Sequence, residues 1–376
     1  MTALSIISVF LLTVYVALIL CYYYFWQTIP ETYIDTSKHK AGPNTYTIII
    51  PARNEESVIE ACLDQIYKQS FPKSHVEVTV IDDHSTDTTA LRVQQWLEQN
   101  NDLRVNLITP NEQNANMFSN KKEAIMYAIE HSKSKYIALT DADCGRGPYW
   151  LAAIDAFVSQ NDAVFVYAPV EFTAHNMFQK IQSLEFAGLV GIGAAAIQSG
   201  YPNMCSASNL LFKREAFHKV GGYRGNSHIA SGDDEFLLHR MYKYYPRAVF
   251  FAKIKQAIVH TSANSSIGQL ASQRRRWVSK STKYENRYIT AILVAAYLFN
   301  LLIVVNLFVY FKLFVLMIVT KTAVEGLFLY SITRFMQRAR YMIYLPLAEP
   351  FHIMYVLIIG IWANITTYQW KGRTHK

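Results

Sequence analysis

KYIALTDADC, residues 135–144, reads as an apolar strand ending in carboxylates on alternate residues, Asp141 and Asp143. The same grammar runs upstream. TYTIIIP at 45–51 is a short β-rich run closed by proline, and NEESVIEACLDQIYKQ then has helical periodicity with Asn54 as its N-cap. VEVTVID at 76–82 is a second strand, followed by a helix from about Thr86 to Asn100. LRVNLITP is a third strand and NKKEAIMYAIEHS a further helix. Strands alternating with helices predict an α/β fold, a mostly parallel sheet with helices on both faces. Ligands of such sheets sit beyond the carboxyl ends of the strands. PARNE, DDHSTD and DADC all fall on that edge.

Outside this middle region the chain is apolar. Hydrophobic residues make up 51% of its 376 residues, concentrated towards the two ends. From Leu4 to Trp26 there is no charge. A helix of that length, roughly 34 Å, is enough for a hydrocarbon core of about 30 Å. The YYYFW cluster at 22–26 suits an interfacial aromatic belt. No basic n-region or small-residue cleavage site marks a signal peptide, so a retained anchor is expected. Three further apolar runs follow. The first is Tyr288–Phe311; Leu313–Phe335 is interrupted by Lys321 and Glu325, and Tyr341–Trp370 contains Pro346, Glu349 and Pro350. Lys321 and Glu325 share a helix face and are expected to pair inside a bundle. The prolines are expected to break the last run into a re-entrant or interfacial piece followed by a span. FQKIQSLEFAGLVGIGAAAIQSG at 178–200 is either a membrane-surface helix or a core helix. The expected domains are an anchor at 1–30, a catalytic domain at 31–287 with its interfacial helices, and a membrane region at 288–376 of two to three spans.

Charge bears on orientation. Lys38 and Lys40 follow the first span and Arg334, Arg338 and Arg340 follow the third, which points the middle region to the cytoplasm. The basic tail WKGRTHK conflicts with that if a further span precedes it. A formal charge of +8 does not indicate nucleic acid, because the cations flank membrane segments and form no aromatic-interleaved patch. Cys21, Cys62, Cys144 and Cys205 lack metal-ligand spacing and are expected to be free thiols.

The motifs carry more specific chemistry. Asp82, Asp83, Ser85 and Asp87 follow a buried strand; helix capping accounts for Asp87 but not for two acids at the strand end, where repulsion is costly without a partner. Asp141 and Asp143 can both reach an ion at the strand mouth, and hard oxygens favour Mg2+ or Mn2+. Lys121 and Lys122 open a helix, either to meet diphosphate charge or as a solvated start. Asp233, Asp234 and Glu235 suit a helix dipole, or supply a base that removes a hydroxyl proton. Gln273, Arg276 and Trp277 share a helix face, offering a phosphate cation and an indole for a sugar ring; Arg274 and Arg275 would point elsewhere, towards lipid headgroups.

Together these residues resemble inverting glycosyltransferase family 2, in its membrane-anchored branch with cellulose, hyaluronan and chitin synthases and ceramide glucosyltransferases. The resemblance covers roughly residues 45–280 and implies a GT-A fold flanked by transmembrane helices. It implies that Pro51, Ala52, Asn54, Glu55 and Asp83 hold the nucleotide, with Lys121 in the family's K-x-x-A-L register. It makes Asp141 and Asp143 the D-x-D pair and sets Ser208 and Asn209 beside the acceptor. Asp234 becomes the base, although Asp233 stands where the family has glutamate and leaves two acids for the role. Gln273, Arg276 and Trp277 match Q-x-x-R-W.

The expected activity is inverting, metal-assisted transfer from a nucleotide-sugar donor, a UDP-sugar, to a lipid or lipid-linked acceptor at the cell membrane. With few spans to line a channel, a processive poly-N-acetylglucosamine- or hyaluronan-like synthase is second. A silent nucleotide-sugar-binding scaffold is disfavoured by the intact base and Q-x-x-R-W.

Overall fold

The computed structural model describes residues 2–35, 41–109, 121–224, 232–278, 286–365, 368–370 and 373–375, with side chains described to Trp362. Lys38, Lys40, Lys371 and Lys376, on which the orientation argument drew, lie outside the described residues. The chain clusters into two compact units. A sheet unit comprises Ile29–Glu171 and Ala196–Ser262; a helical unit comprises Met1–Thr28, Phe172–Ala195 and Ala263–Lys376.

The helical unit begins with α1 (Ala3–Thr28). The sheet unit then follows in chain order. Its first part runs β1 (Tyr46–Ala52), α2 (Ile59–Tyr67), β2 (Val76–Asp82), α3 (Thr89–Gln99), β3 (Arg104–Ile108), α4 (Lys121–His131), β4 (Tyr136–Leu139), β5 (Gly145–Arg146), α5 (Trp150–Asn161) and β6 (Phe165–Tyr167). β7 (Val170–Thr173) carries the chain out, α6 (Met177–Ser199) returns it, and β8 (Leu210–Lys213), α7 (Arg214–Lys219), α8 (Asp233–Tyr244), β9 (Val249–Phe251) and β10 (Val259–Ser262) complete it. The main sheet has the order β3-β2-β1-β4-β8-β6-β9. β1, β2, β3 and β4 pair in parallel, as the alternation predicts, and β8 enters antiparallel between β4 and β6.

These strands form because they are apolar on both faces, as a sheet covered by helices requires. Ile48, Ile49, Ile50, Val78, Val80 and Ile137 are all fully buried. α2 and α5 close over the same core through Leu63, Ile66, Leu151 and Ile154. Asp155 on α5 is buried too, its carboxylate accepting from the Asn44 amide at 3.0 Å and the Tyr46 hydroxyl at 2.5 Å. A second sheet runs β5-β10-β7, with Arg146 opposite Val259 and Gly145 opposite His260. The four cysteines are free.

The helical unit resumes with α9 (Ile267–Val278), α10 (Arg287–Val309), α11 (Phe311–Phe335) and α12 (Leu345–Ile365). Among the described residues, five helical segments are long and apolar enough to cross a membrane: α1, α6, α10, α11 and Ala339–Trp362. α6 does more than skirt a surface. A Cβ at its Gly191 would come within 2.1 Å of Ile332 Cδ1 on α11, so any side chain there would force the buried Ile332 to shift.

The last run does divide beside Pro346, where a short 3-10 piece at Ala339–Tyr344 gives way to α12, but Pro350 does not interrupt the helix that follows. α12 is continuous, with Pro346 in its first turn, where no intrahelical N–H is needed, and Pro350 inside it. Lys321 and Glu325 do pair, at 2.8 Å. The fully buried Lys321 ammonium also binds Glu349 of α12, and Glu325 accepts a hydrogen bond from the Tyr15 hydroxyl of α1. Three helices are thus joined through charge that is expensive among apolar helices unless paired.

Candidate active site

At the carboxyl ends of β1 and β2 two loops are laced together. The Asn54 N–H donates to Ser85 Oγ at 3.0 Å, and its side-chain oxygen accepts from the Thr86 N–H at 2.8 Å. The Glu55 N–H donates to Thr89 Oγ1 at 2.8 Å, and Glu56 Oε2 accepts from the Thr88 N–H at 3.0 Å. Asn54 therefore does not cap α2, which begins at Ile59 behind Val58. It sits at φ 56°, a left-handed conformation that asparagine tolerates, and ties one loop to the other. Asp87 is not the N-cap of α3, which is Thr88; its carboxylate instead accepts from the Thr89 N–H at 3.0 Å and the Glu56 N–H at 3.2 Å, adding to the lacing of the two loops. Asp83 is buried, its N–H donates to the Ala52 carbonyl at 2.8 Å, and His84 Nδ1 lies 3.3 Å from its carboxylate. Ala52 is packed in the core, and Pro51 precedes it half-buried.

The D-x-D carboxylates follow β4. Asp141 is engaged on both oxygens: Lys121 Nζ donates to Oδ1 at 2.9 Å, and Ser208 Oγ donates to Oδ2 at 2.6 Å. Asp143 is exposed and accepts from Thr261 Oγ1 at 2.9 Å. Ligand atoms of Asp141, Asp143 and Cys144 lie within 4.8 Å of one another, so the oxygen pair fits a small hard cation. Burial, with the charges of Asp141 and Asp143, pushes the Cys144 thiol up, and it donates to Asp143 rather than competing as a thiolate. Beside Thr261, His260 Nδ1 lies 2.8 Å from the buried carboxylate of Glu171. No sequence spacing announced this pairing.

The acids of α8 separate in role. The Lys122 ammonium, almost wholly buried, lies 3.0 Å from Asp233 Oδ1. Burial raises the Asp233 carboxyl, Lys122 opposes that rise, and Asp234 adds to it. Asp234 instead accepts the Ala207 N–H on Oδ2 at 3.1 Å and the Glu235 N–H on Oδ1 at 3.0 Å. The turn at Ala207–Asn209 is the element that sequence reasoning missed. Its first residue binds Asp234 and its second binds Asp141, so both carboxylates belong to one small site.

Asn209 departs from the expectation of an acceptor contact. It is 1% exposed; both amide hydrogens go to the carbonyls of Pro169 and Ala257, at 2.8 Å each, and its oxygen accepts from Trp150 Nε1 at 3.0 Å. It anchors the turn, leaving Ser208 as the residue of that pair with a site contact.

Gln273, Arg276 and Trp277 lie on α9 in the helical unit. The Gln273 oxygen is taken by Asn264 Nδ2 at 2.9 Å and Arg274 Nη1 at 3.0 Å. Arg274 does not point to headgroups. It is fully buried and forms a forked pair with Glu185 of α6, at 3.1 and 2.9 Å, a geometry that satisfies a planar guanidinium. Its guanidinium also lies 4.2 Å from the Trp277 ring, covering one face of the indole that was expected to stack on sugar. Arg275 rests over Trp362 at 4.2 Å. Arg276 is half-buried.

The family model described as "Glycosyl transferase family 2" matches residues 47–221. Among curated proteins, the chain is similar to the glycosyltransferase AglE of Haloferax volcanii, 27% identical over 188 residues, 50% of this chain and 58% of that protein. It is also similar to a beta-monoglucosyldiacylglycerol synthase of Nostoc sp., 23% identical over 233 residues, 61% of this chain and 47% of that protein. The chain thus spans about half the length of these relatives. Among solved structures, it resembles a mannosyltransferase from Pyrobaculum calidifontis in complex with GDP-Man and Mn2+, with a TM-score of 0.58 at 19% identity, covering 96% of this chain and 99% of that one. That likeness is one of fold, an α/β GT-A architecture flanked by apolar helices.

Proposed function

We propose, on the premise that this chain carries a glycosyltransferase family 2 domain over residues 47–221, that it moves a sugar from a UDP-sugar to a lipid or lipid-linked acceptor with inversion. The observation that carries this reading is the turn at Ala207 and Ser208. It binds Asp234 on one side and the D-x-D aspartate Asp141 on the other, as a base and a diphosphate site must be arranged for one in-line step.

In this reading Asp234, oriented by two backbone N–H groups, takes the proton of the acceptor hydroxyl. The freed oxygen attacks the anomeric carbon as the bond to the nucleoside diphosphate breaks, so an α-linked donor gives a β-linked product. Asp141 and Asp143 would hold Mg2+ or Mn2+, which when bound offsets diphosphate charge and acts as a Lewis acid. Lys121, and Arg276 from Q-x-x-R-W, are assigned to the departing phosphates. Asp83 and the Pro51–Glu55 loop are assigned to the nucleoside, Ser208 to the acceptor side. The apolar helices suit a multi-pass membrane protein with membrane lipids around it. Arg334, Arg338 and Arg340 support a cytoplasmic catalytic domain.

A second reading has support of its own. The chain is also similar to a poly-beta-1,6-N-acetyl-D-glucosamine synthase of Staphylococcus aureus, 26% identical over 239 residues. One experiment separates the candidates: membranes from expressing cells are offered UDP-sugars with Mn2+, and the lipid extract is analysed by mass. A glycolipid one hexose heavier is the expected product. Polymer would favour the synthase, and no metal-dependent UDP release would leave only a scaffold. Asp234→Asn should abolish the product while UDP binding persists; lost binding would remove Asp234 from the role of base.

A further inference from the structure

Arg146 is an unusual residue to find buried just after the D-x-D pair. It is 6% exposed, and among the described residues no carboxylate pairs with it. Its Nη2 donates to Thr140 Oγ1 at 3.1 Å, to the Cys144 carbonyl at 2.7 Å and to Cys62 Sγ at 3.5 Å. Its Nε and Nη1 are buried with no hydrogen-bond partner among the described residues. The guanidinium also lies 5.3 Å from the Trp150 ring. A guanidinium held against neutral acceptors is among the costliest groups to bury, and a leucine or methionine would fill the same volume without that cost.

The contacts explain its presence. Thr140 is the residue immediately before Asp141, and Cys144 is the residue immediately after Asp143. One nitrogen therefore straddles the whole D-x-D segment. Apart from it, the segment's backbone is held by the Thr140 N–H to the Ile49 carbonyl at 3.3 Å, by Cys62 Sγ at 4.0 Å from the Asp141 carbonyl and by its own turn, the Cys144 N–H to the Asp141 carbonyl at 3.2 Å, while Lys121, Ser208 and Thr261 hold only the carboxylates. Arg146 itself is fixed from behind, its N–H donating to Gln65 Oε1 at 2.8 Å. Two carboxylates on alternate residues after a strand end repel each other and splay unless their backbone is pinned at both sides.

We propose that Arg146 is the positioning residue of the D-x-D segment: its guanidinium clasps Thr140 and Cys144 so that Asp141 and Asp143 are presented at a spacing suited to a divalent cation. The proposal rests on reading those aspartates as metal ligands. It is tested on full-length protein in detergent with two measurements, Mn2+ binding by electron paramagnetic resonance and metal-free hydrogen exchange of the amides at Asp141–Cys144. Arg146→Met should bind Mn2+ at least tenfold more weakly and exchange those amides at least tenfold faster. Thr140→Val, which removes one acceptor and keeps the branched shape, should shift both in the same direction by a smaller factor. Unchanged exchange and Mn2+ affinity in a folded Arg146→Met protein would make the residue a core filler. Tighter Mn2+ binding would make it a mere repulsive charge; either result overturns the proposal. If Arg146→Met fails to fold, Thr140→Val decides alone, and wild-type values there overturn it. Should the wild-type protein bind no Mn2+, the metal reading falls, while metal-free exchange still tests the clasp.

Discussion

Lys122 reaches Asp233 at 3.0 Å from a side chain that is 3% exposed. This pair divides the two neighbouring acids: Asp233 is held inside by a cation, while Asp234 faces the turn that also binds Asp141. Burial raises Asp233 above the ordinary aspartate value of ~3.9. A carboxyl whose folded value is raised contributes stability that is complete below its unfolded value and is lost as pH rises through the folded one. The wild-type melting temperature should therefore fall, relative to Asp233→Asn, as pH rises from about 4. Parallel pH curves for the two proteins would exclude Asp233 as the source.

Lys121 occupies Asp141 Oδ1 at 2.9 Å, where an incoming cation would compete with it. Lys121→Met should bind Mn2+ alone several-fold more tightly, because a rival positive charge is gone. The same variant should bind UDP more weakly in the presence of Mn2+. Titrating each ligand separately checks both signs, and weaker Mn2+ binding would contradict the competition.

Arg274, fully buried, forms a forked pair with the partly buried Glu185. Removing one partner leaves the other charge without compensation, at a cost of about 3–5 kcal/mol. Glu185→Gln and Arg274→Met should each lower the melting temperature sharply in detergent, and Glu185→Leu combined with Arg274→Met should recover much of the loss. If the double variant is no better than the worse single one, pairing is not the source.

Lys321 stands between Glu325 and Glu349. Lys321→Met would leave the two carboxylates facing each other among apolar helices, a cost of the same order, about 3–5 kcal/mol. Adding Glu349→Gln should restore a monodisperse protein in size-exclusion chromatography. An unaffected Lys321→Met protein would show that the cluster is dispensable.

Much of the sheet was legible because local pattern and tertiary role coincide there. TYTIIIP, VEVTVID and KYIAL are short runs rich in apolar and β-branched residues, and the strands they form are buried almost throughout, as strands covered on both faces must be. Their carboxyl ends were legible for the same reason, so DDHSTD and DADC fall where β2 and β4 stop. The short strands β6, β8 and β9 lacked that signal. Each is three or four residues long, and their order in the sheet depends on partners distant in sequence.

The residues misread or missed share a different feature. Asn209, Arg274, Lys122 and Arg146 are all polar, and a polar residue viewed along the chain looks like surface or site. Whether it is buried depends on an acceptor supplied from elsewhere: Glu185 for Arg274, Asp233 for Lys122, the Pro169 and Ala257 carbonyls for Asn209.

Apolar periodicity and strand-end acids, which act within a few neighbouring residues, were enough for the sequence by itself to determine the α/β order, the long apolar helices and the positions of the acidic motifs. Only the tertiary structure decided which acid is locked by lysine, which arginine is sealed in a pair and which turn joins Asp141 to Asp234. Those choices are hydrogen bonds and ion pairs between residues tens to a hundred positions apart, and their energy depends on distance and burial that no linear spacing encodes.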